Sequence, residues 1–564
     1  MYLHKLINLG KICLQKLNQE LNNFNFAVTI TIKFSLFLTL TISFLSIMKS
    51  KFVNRLSSKN FGLSIFVVLF ISLGLYYTLH ETMFFRPQST HVWRQTDCLS
   101  LTQNYYQLNN SFWEPEIHNQ LSDDDTTGKT AGEFPLLYYA MAMLWKLIGK
   151  SEFAYRLVVL LISFTGLLFI YKFCQEILKN NLQALFVSLG IFTSTAYVYY
   201  SANFLPNIPA LSLIFVGWYF IWKFYKHNSD RYLWISMLFF CLGILFKIST
   251  GISFVALLGW AFLELFINKE KRTLFKRPLK QLLPFIVLIG VVVAWYIYAA
   301  YYNRIHDGKY TFNSVWPIWE IPTTKIWETL EKANILTLPS FFHKSMLYIT
   351  GAMWIIILAT FKKRSLFLNY LVIIIPFGTL IYALLWFQAF DYHDYYYIDF
   401  YVNFILVWII FFKTTNNYRL FNNLIVNLAF IGLLFYSAYQ SNLVLSDRYV
   451  GWRIASYENH MKAVGELEQV LEDLGIDPYD KVISIPDFSI NISLYMMNHR
   501  GFNNYNSRFD LPGTYQRRIQ DGAKYLIVND TLILNDSLVK PFIDYPVTTH
   551  KNVKIFDLQP YLNQ

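Results

Sequence analysis

Charge is what this sequence has least of. Only 15% of its 564 residues are Asp, Glu, Lys or Arg, against about 25% in a soluble domain. Its mean hydropathy is +0.33. That excludes a disordered chain, a collagen-like fibre and an ordinary soluble enzyme. Cysteine is scarce as well. Cys13, Cys98, Cys174 and Cys241 lie far apart and form no CxxC, which argues against a disulfide framework or a thiolate zinc site. No glycine-rich phosphate loop is present to hold a nucleotide sugar. Acids are outnumbered, 36 to 48, giving a net charge of +12. In a soluble protein that excess would suggest nucleic acid. In a membrane protein it reads as Lys and Arg kept in cytoplasmic loops, and no nucleic-acid partner is expected.

What the chain has in excess is apolar and aromatic, 55% and 19%. The apolar residues fall in blocks close to the roughly 20 residues of a helical span. Eleven spans are expected: 61–79, 154–172, 183–200, 206–222, 232–246, 250–267, 281–301, 341–361, 366–389, 395–412 and 421–440. The basic loops 49–60, 172–182, 223–231, 268–280, 362–364 and 413–420 are assigned to the cytoplasm. The long, poorly basic loops 80–153 and 302–340 then face outward. This scheme requires 134–148, FPLLYYAMAMLWKLI, not to cross. It is short for a span and rich in Tyr and Trp, so it is read as a helix at the outer membrane surface.

Residues 1–60 read as a cytoplasmic or signal-like segment, or as an over-extended start ahead of Met48, which opens a basic head before the first span. Residues 61–440 form the transmembrane domain. Residues 445–564 carry charge, Pro and Asn and no membrane-length run. A helical period over 458–474 and strand-like runs at 482–486, 524–530 and 553–558 predict a small α/β domain. The odd number of spans places it outside the membrane. The fold class is thus an α-helical polytopic membrane protein with a small C-terminal α/β extracytoplasmic domain.

The few charges left on the outer side stand out. Asp97 lies near His91, Arg94 and Gln95. If 93–106 is helical, Trp93, Asp97 and Leu101 share one face. A carboxylate at this depth is either a paired structural ion or a general base. Glu133 precedes the surface helix, where an acid also complements the helix dipole. Asp123-Asp124-Asp125 lacks the spacing of a calcium loop and reads as a solvated acidic turn. Lys247 interrupts an apolar stretch, where it either snorkels or binds a phosphate. Asn207 lies at a neighbouring outer turn. His393 and Asp394 lie in a run of Tyr that includes Tyr396, at another outer edge. Topology gathers all of these on one face.

The segment HVWRQTDCLSLTQNYY at 91–106 resembles the HxWRQTDTAxIARNF segment of bacterial GT-C-class membrane glycosyltransferases, glycosyltransferase family 39. These are dolichyl-phosphate-mannose-protein mannosyltransferase-like proteins related to the lipid A aminoarabinose transferases. Glu133-Phe134-Pro135-Leu136, the E-x-A-x-R-L pattern over Glu152–Leu157, Lys247, the HDYYY run from His393 and IPDFSINISLYMMNHRGF near the end are also similar. The resemblance implies about 11 transmembrane helices with interfacial helices in the first outer loop. It also implies transfer of a sugar from a polyprenyl-phosphate carrier to a hydroxyl on a lipid, glycan or protein acceptor. Asp97 would be the general base, and one displacement would invert the anomeric carbon. Glu133 would position the acceptor or organise the loop. Arg94 and Lys247, with Arg156, would stabilise the leaving phosphate. His91, Gln95, Asn207, His393, Asp394 and Tyr396 would bind substrate. No cofactor is certain, and a divalent metal at Glu133 is left open.

There are departures from the pattern. DTA reads Asp97-Cys98-Leu99, IARN reads Leu101-Thr102-Gln103-Asn104, and Asn207 replaces an acid that some relatives carry. A flippase or transporter of lipid-linked glycans and an O-antigen-type polymerase are the competing classes. The chain shows no internal repeat of the transporter kind.

Overall fold

The computed structural model describes residues 59–267, 272–308, 315–418, 420–449 and 461–562. The alternatives for the N-terminal segment and for Met48 lie outside the described residues. Helix α1, Lys59–Tyr76, belongs to a first unit that ends at His80, and Glu81–Gln564 form a second.

In the second unit, α2 spans Val92–Leu108 and α3 Leu136–Ile148. Next come α4 Glu152–Leu178, α5 Asn181–Ile191, α6 Thr195–Ser201, α7 Asn207–His227 and α8 Asp230–Phe246. Then come α9 Ile252–Phe266, α10 Leu283–Ile305, α11 Thr323–Lys332 and α12 Lys344–Ala359. The last three are α13 Leu366–Leu385, α14 Tyr401–Thr415 and α15 Leu424–Tyr449.

Every expected span coincides with a helix. Among the described residues 7 helices are long and apolar enough to cross a membrane, or up to 9 if each of two bent pairs counts as one. One such pair is α5 and α6, which break by 75° over the expected span 183–200. Ser194 sits at this break and caps α6 by accepting the Tyr197 N–H. The helices at 61–79 and 232–246 are 18 and 17 residues long and fall short of that test. Helix α3 has 13 residues, about 20 Å at 1.5 Å per residue, again short of a roughly 30 Å core.

Helix starts follow local chemistry. Ser151 accepts the Ala154 N–H at 3.1 Å to open α4, and Asn180 accepts that of Gln183 at 3.1 Å to open α5. Both satisfy a donor that the first turn leaves over. Helices α4 and α7 approach closely at Gly166, where an added Cβ would lie 2.6 Å from that of Ser212. Small residues allow such contacts between apolar helices.

The C-terminal sheet has five strands in the order β2-β1-β3-β5-β4. They are β1 Lys481–Ile485, β2 Gly501–Asn503, β3 Ala523–Val528, β4 Pro546–His550 and β5 Val553–Asp557. β1 is parallel to β2 and to β3, with Ile483 opposite Phe502 and Leu526. β5 runs antiparallel to β3 and carries β4 at the edge. Ile483, Ile485, Phe502, Leu526, Val528 and Phe556 form its core. Within the expected 458–474 helix, the described helical segment Leu467–Asp473 follows a turn at Gly465.

The sheet is built against the 81–151 segment. Gly501 N–H donates to the His118 carbonyl at 3.2 Å, and Gln120 N–H donates to the Gly501 carbonyl at 2.9 Å. Gly501 has φ +145, and an added Cβ would lie 1.9 Å from the Val482 carbonyl oxygen. Asp123, Asp124 and Asp125 all adopt positive φ, and the turn is not simply solvated. Asp125 pairs with Arg508 at 2.6 Å and Arg518 at 2.7 Å, and Asp123 with His306 at 2.9 Å. Only a glycine fits at 501, so Gly501→Ala should cost about 1–3 kcal/mol of stability. It should also speed proteolysis of the C-terminal sheet. Thermal unfolding and limited proteolysis of the purified chain measure both.

Candidate active site

Helix α2 is unusual in burying polar side chains, among them Arg94, Gln95, Thr96, Asp97, Ser100, Gln103 and Asn104. It starts from a turn in which Ser89 and His91 both have positive φ. Gln95 stabilises that turn: its Nε2 donates to the carbonyls of Gln88 at 3.0 Å and Thr90 at 2.9 Å, and lies 3.0 Å from the Tyr199 hydroxyl. The amide nitrogen of Gln95 is thus committed to this turn, while its Oε1 is buried with no hydrogen-bond partner among the described residues.

One ion cluster forms around Glu133, just before α3. Arg94 Nη2 donates to Glu133 Oε2, the Tyr138 hydroxyl donates to the same oxygen at 2.9 Å, and Lys247 Nζ lies 3.4 Å from Oε1. Lys247 occupies the extended residue between α8 and the turn Ile248–Gly251. Burial opposes ionisation of Glu133, but Arg94 and then Lys247 outweigh it and hold the carboxyl below its ordinary range. Two cations thus share one carboxylate.

A second cluster surrounds Asp394. His91 Nε2 lies 3.1 Å from Asp394 Oδ1, Arg448 Nη1 donates to Oδ2 at 2.6 Å, and the Tyr200 hydroxyl donates to Oδ1. Arg448, at the end of α15, is 1% exposed. Rings link the two clusters. His91 stacks on His393 at 5.7 Å, His393 lies 5.4 Å from Tyr395, Tyr395 stacks on Tyr396 at 4.9 Å, and Lys247 Nζ stands 4.8 Å over the Tyr396 ring. Burial, reinforced by His91, pulls His393 down to about 4, so it is neutral at pH 7. Its Nδ1 lies 3.2 Å from the Ala389 carbonyl. Asn207 Nδ2 donates to the Tyr395 carbonyl at 3.2 Å and ties α7 to this group.

Asp97 is one turn beyond Arg94 and 1% exposed. Its Oδ1 accepts from Asn491 Nδ2 at 2.9 Å. Beside it, burial pushes the Cys98 thiol up to about 12, so the residue that replaces Thr in the family pattern is an uncharged, inert group. The Arg156 guanidinium donates to the carbonyls of Phe85 at 3.2 Å, Ala202 at 2.8 Å and Arg86 at 3.5 Å, and stacks over Phe204 at 4.1 Å. At 2% exposure it clamps the backbone and is not presented to a phosphate.

A divalent ion at Glu133 does not fit the residues present. Both of its oxygens carry cationic or hydroxyl donors, and among the described residues no group of three or more His, Cys, Asp or Glu side chains is placed to hold a metal. Sequence reasoning missed Tyr138, Tyr200, Arg448 and Asn491. Asn491 lies within the IPDFSINISLYMMNHRGF run, and Arg448 is a charge just beyond the last apolar run.

Glu133→Gln removes the charge that pairs Arg94 and Lys247. Breaking a pair of this burial costs about 3–5 kcal/mol. Because the folded-state carboxyl is held low, its stabilisation is full above the ordinary Glu range and lost as pH falls through the folded value. The difference in thermal midpoint between wild type and Glu133→Gln should therefore be largest near pH 7 and shrink in acid.

Residues 131–297 match the family described as dolichyl-phosphate-mannose-protein mannosyltransferase. No curated protein sequence matches the chain. Similar solved structures include ArnT from Cupriavidus metallidurans in the apo state, with a TM-score of 0.53 and 11% identity over 88% of this chain and 99% of that one. The same protein bound to undecaprenyl phosphate gives 0.54 and 12% over 87% and 97%. The apo oligosaccharyltransferase of Archaeoglobus fulgidus gives 0.52 and 13% over 83% and 70%. The chain is therefore a multi-pass membrane protein with the fold of the GT-C glycosyltransferases, and its residues 131–297 carry the segment of the mannosyltransferase family.

Proposed function

We propose that this chain moves a sugar from a polyprenyl-phosphate carrier to an acceptor hydroxyl on the outer face of a bacterial inner membrane. The observation that carries the reading is the pair of cations gathered at Glu133 close to Asp97. Arg94 and Lys247 both reach the Glu133 carboxylate, and the buried carboxylate of Asp97 lies one helical turn from Arg94. An anionic leaving group next to a general base is what such a transfer needs. The likeness to ArnT, whose structure is described as bound to undecaprenyl phosphate, supports a donor of this class.

In the proposed step the acceptor hydroxyl gives its proton to Asp97 as its oxygen attacks the anomeric carbon. The bond from that carbon to the phosphate oxygen breaks, and its electron pair leaves on the phosphate. Lys247 and Arg94 stabilise the charge that grows there. The phosphate is a good leaving group, so no general acid is required, and a single displacement inverts the anomeric centre. Glu133 holds both cations in place. His91, His393 and Tyr396 form an aromatic wall to the same region, suited to a sugar ring, with Asp394 holding His91 and Asn207 supporting the turn.

Asp97→Asn should fold as the wild type does and lose about 10²–10⁴-fold in transfer rate. Mass spectrometry of cell glycolipids and glycoproteins, with and without the substitution, reads the loss and identifies the product. Transfer by Asp97→Asn at the wild-type rate would remove the base assignment. The orientation is tested separately. A cysteine at Asp124, on an exposed turn, should react with a membrane-impermeant maleimide from outside, and one at Lys276 only after the membrane is opened.

A further inference from the structure

The C-terminal sheet has a chemistry-bearing edge. β1 lies between β2 and β3, both parallel to it, and the chain runs from β1 to β2 on one side before returning to β3 on the other. The boundary of β1 and β3 is therefore a topological switch point. In open α/β sheets, the loops at the carboxyl ends of the strands beside such a point carry the groups that meet ligands. Here the loop leaving β1 is turned onto α2.

That loop is fixed throughout. The Asp487 carboxylate accepts the Ser489 N–H at 2.9 Å, the Ser489 hydroxyl at 2.6 Å and the Ser493 N–H at 2.8 Å. Asn503, at the end of β2, donates to the carbonyls of Ser489 at 2.9 Å and Ile490 at 3.1 Å. Asn119 donates to the Ile490 carbonyl at 2.9 Å and to Asn503 Oδ1 at 2.7 Å. The product of this scaffold is the orientation of one amide. Asn491 Oδ1 accepts the Asn119 backbone N–H at 3.2 Å, which fixes which end of the amide is oxygen. Its Nδ2 then faces Asp97 Oδ1 at 2.9 Å, with Asn491 wholly buried.

We propose that Asn491 is a positioning residue for Asp97, so that the C-terminal sheet completes the active site and is not an appended domain. The inference rests on the reading of Asp97 as the base. An amide N–H on one carboxylate oxygen does two things. It fixes the rotation of the carboxylate toward the acceptor, and it favours the ionised form that takes a proton. The charged and titratable groups facing Asp97 are Arg94 and Cys98 on its own helix, Tyr395 from the 394–400 turn, and Tyr505 beyond β2. Asn491 adds a hydrogen-bond donor of defined geometry from a fourth segment.

The test uses the purified full chain in proteoliposomes. A panel of synthetic undecaprenyl-phosphate-linked hexoses and pentoses serves as donor and total cell-envelope glycolipid as acceptor. Release of undecaprenyl phosphate is followed against pH. Asn491→Asp keeps the shape of the side chain but puts an oxygen where the donor was. With a thermal midpoint near that of wild type, it should move the acid limb of kcat upward by about one pH unit or more. On that limb kcat should fall at least about tenfold, with KM little changed and rates converging at high pH. Asn491→Ala should move the limb less. A folded Asn491→Asp with the wild-type profile would overturn the proposal while leaving the base assignment intact, provided Asp97→Asn is inactive. No transfer by wild type with any donor would remove the functional reading and this inference together. If Asn491→Asp does not fold, Asn491→Ala is judged on the same limb, and failure of both to fold would make the residue architectural and overturn the proposal.

Discussion

The candidate site depends on one carboxylate serving two cations. Glu133 reaches Arg94 on α2 and Lys247 at the break between α8 and the following turn, and so joins three distant parts of the chain in a place with little water. In a medium of low dielectric, unpaired charge is costly, so these segments cannot separate without exposing or stranding a charge. The same constraint explains the second cluster. Asp394 is kept by Arg448 and His91, and this fixes the end of the last long helix against the turn that precedes α14. The two clusters differ in composition. The first brings two cations to Glu133 with Asp97 one turn along α2. At the second, one buried guanidinium and one carboxylate pair directly, so it acts as a frame.

Much of this was legible because membranes simplify sequences. A span is a long apolar block, so the eleven expected blocks fall on helical residues, one of them broken by 75°. The outlying charges Asp97, Glu133 and Lys247 stood out because there were few others to confuse them. The surface-helix reading of 134–148 rested on length, on its Tyr and Trp and on the pattern of basic loops, and the helix Leu136–Ile148 is 13 residues long. Less legible was anything decided by a partner. Arg156, and Gln95 through its amide nitrogen, donate to backbone carbonyls, and a sequence does not show which carbonyls lie near. Asn491 is an ordinary polar residue until the fold sets it against Asp97.

In the C-terminal sheet, the three strands with continuous β-branched runs were found. β2 is only three residues long and contains a glycine, and β4 starts at a proline and is largely exposed. Both lack the alternation that marks a strand. They are visible only as partners of the strands beside them. The turn Asp123–Asp125 was similarly opaque. Three consecutive residues of positive φ look unfavourable in isolation, and they persist because Arg508, Arg518 and His306 take up the acids.

The contacts that make the site grow steadily longer along the chain. Arg94 and Glu133 are 39 residues apart, Lys247 and Glu133 114, His91 and Asp394 303, and Asn491 and Asp97 394. Read as a timetable for a chain made from its N-terminus, this orders assembly. The cationic pair can close early in synthesis, the frame around Asp394 waits for the last long helix, and the amide beside Asp97 arrives after every long helix is in place. The nascent protein therefore carries its carboxylate for most of its synthesis without the sheet that orients it.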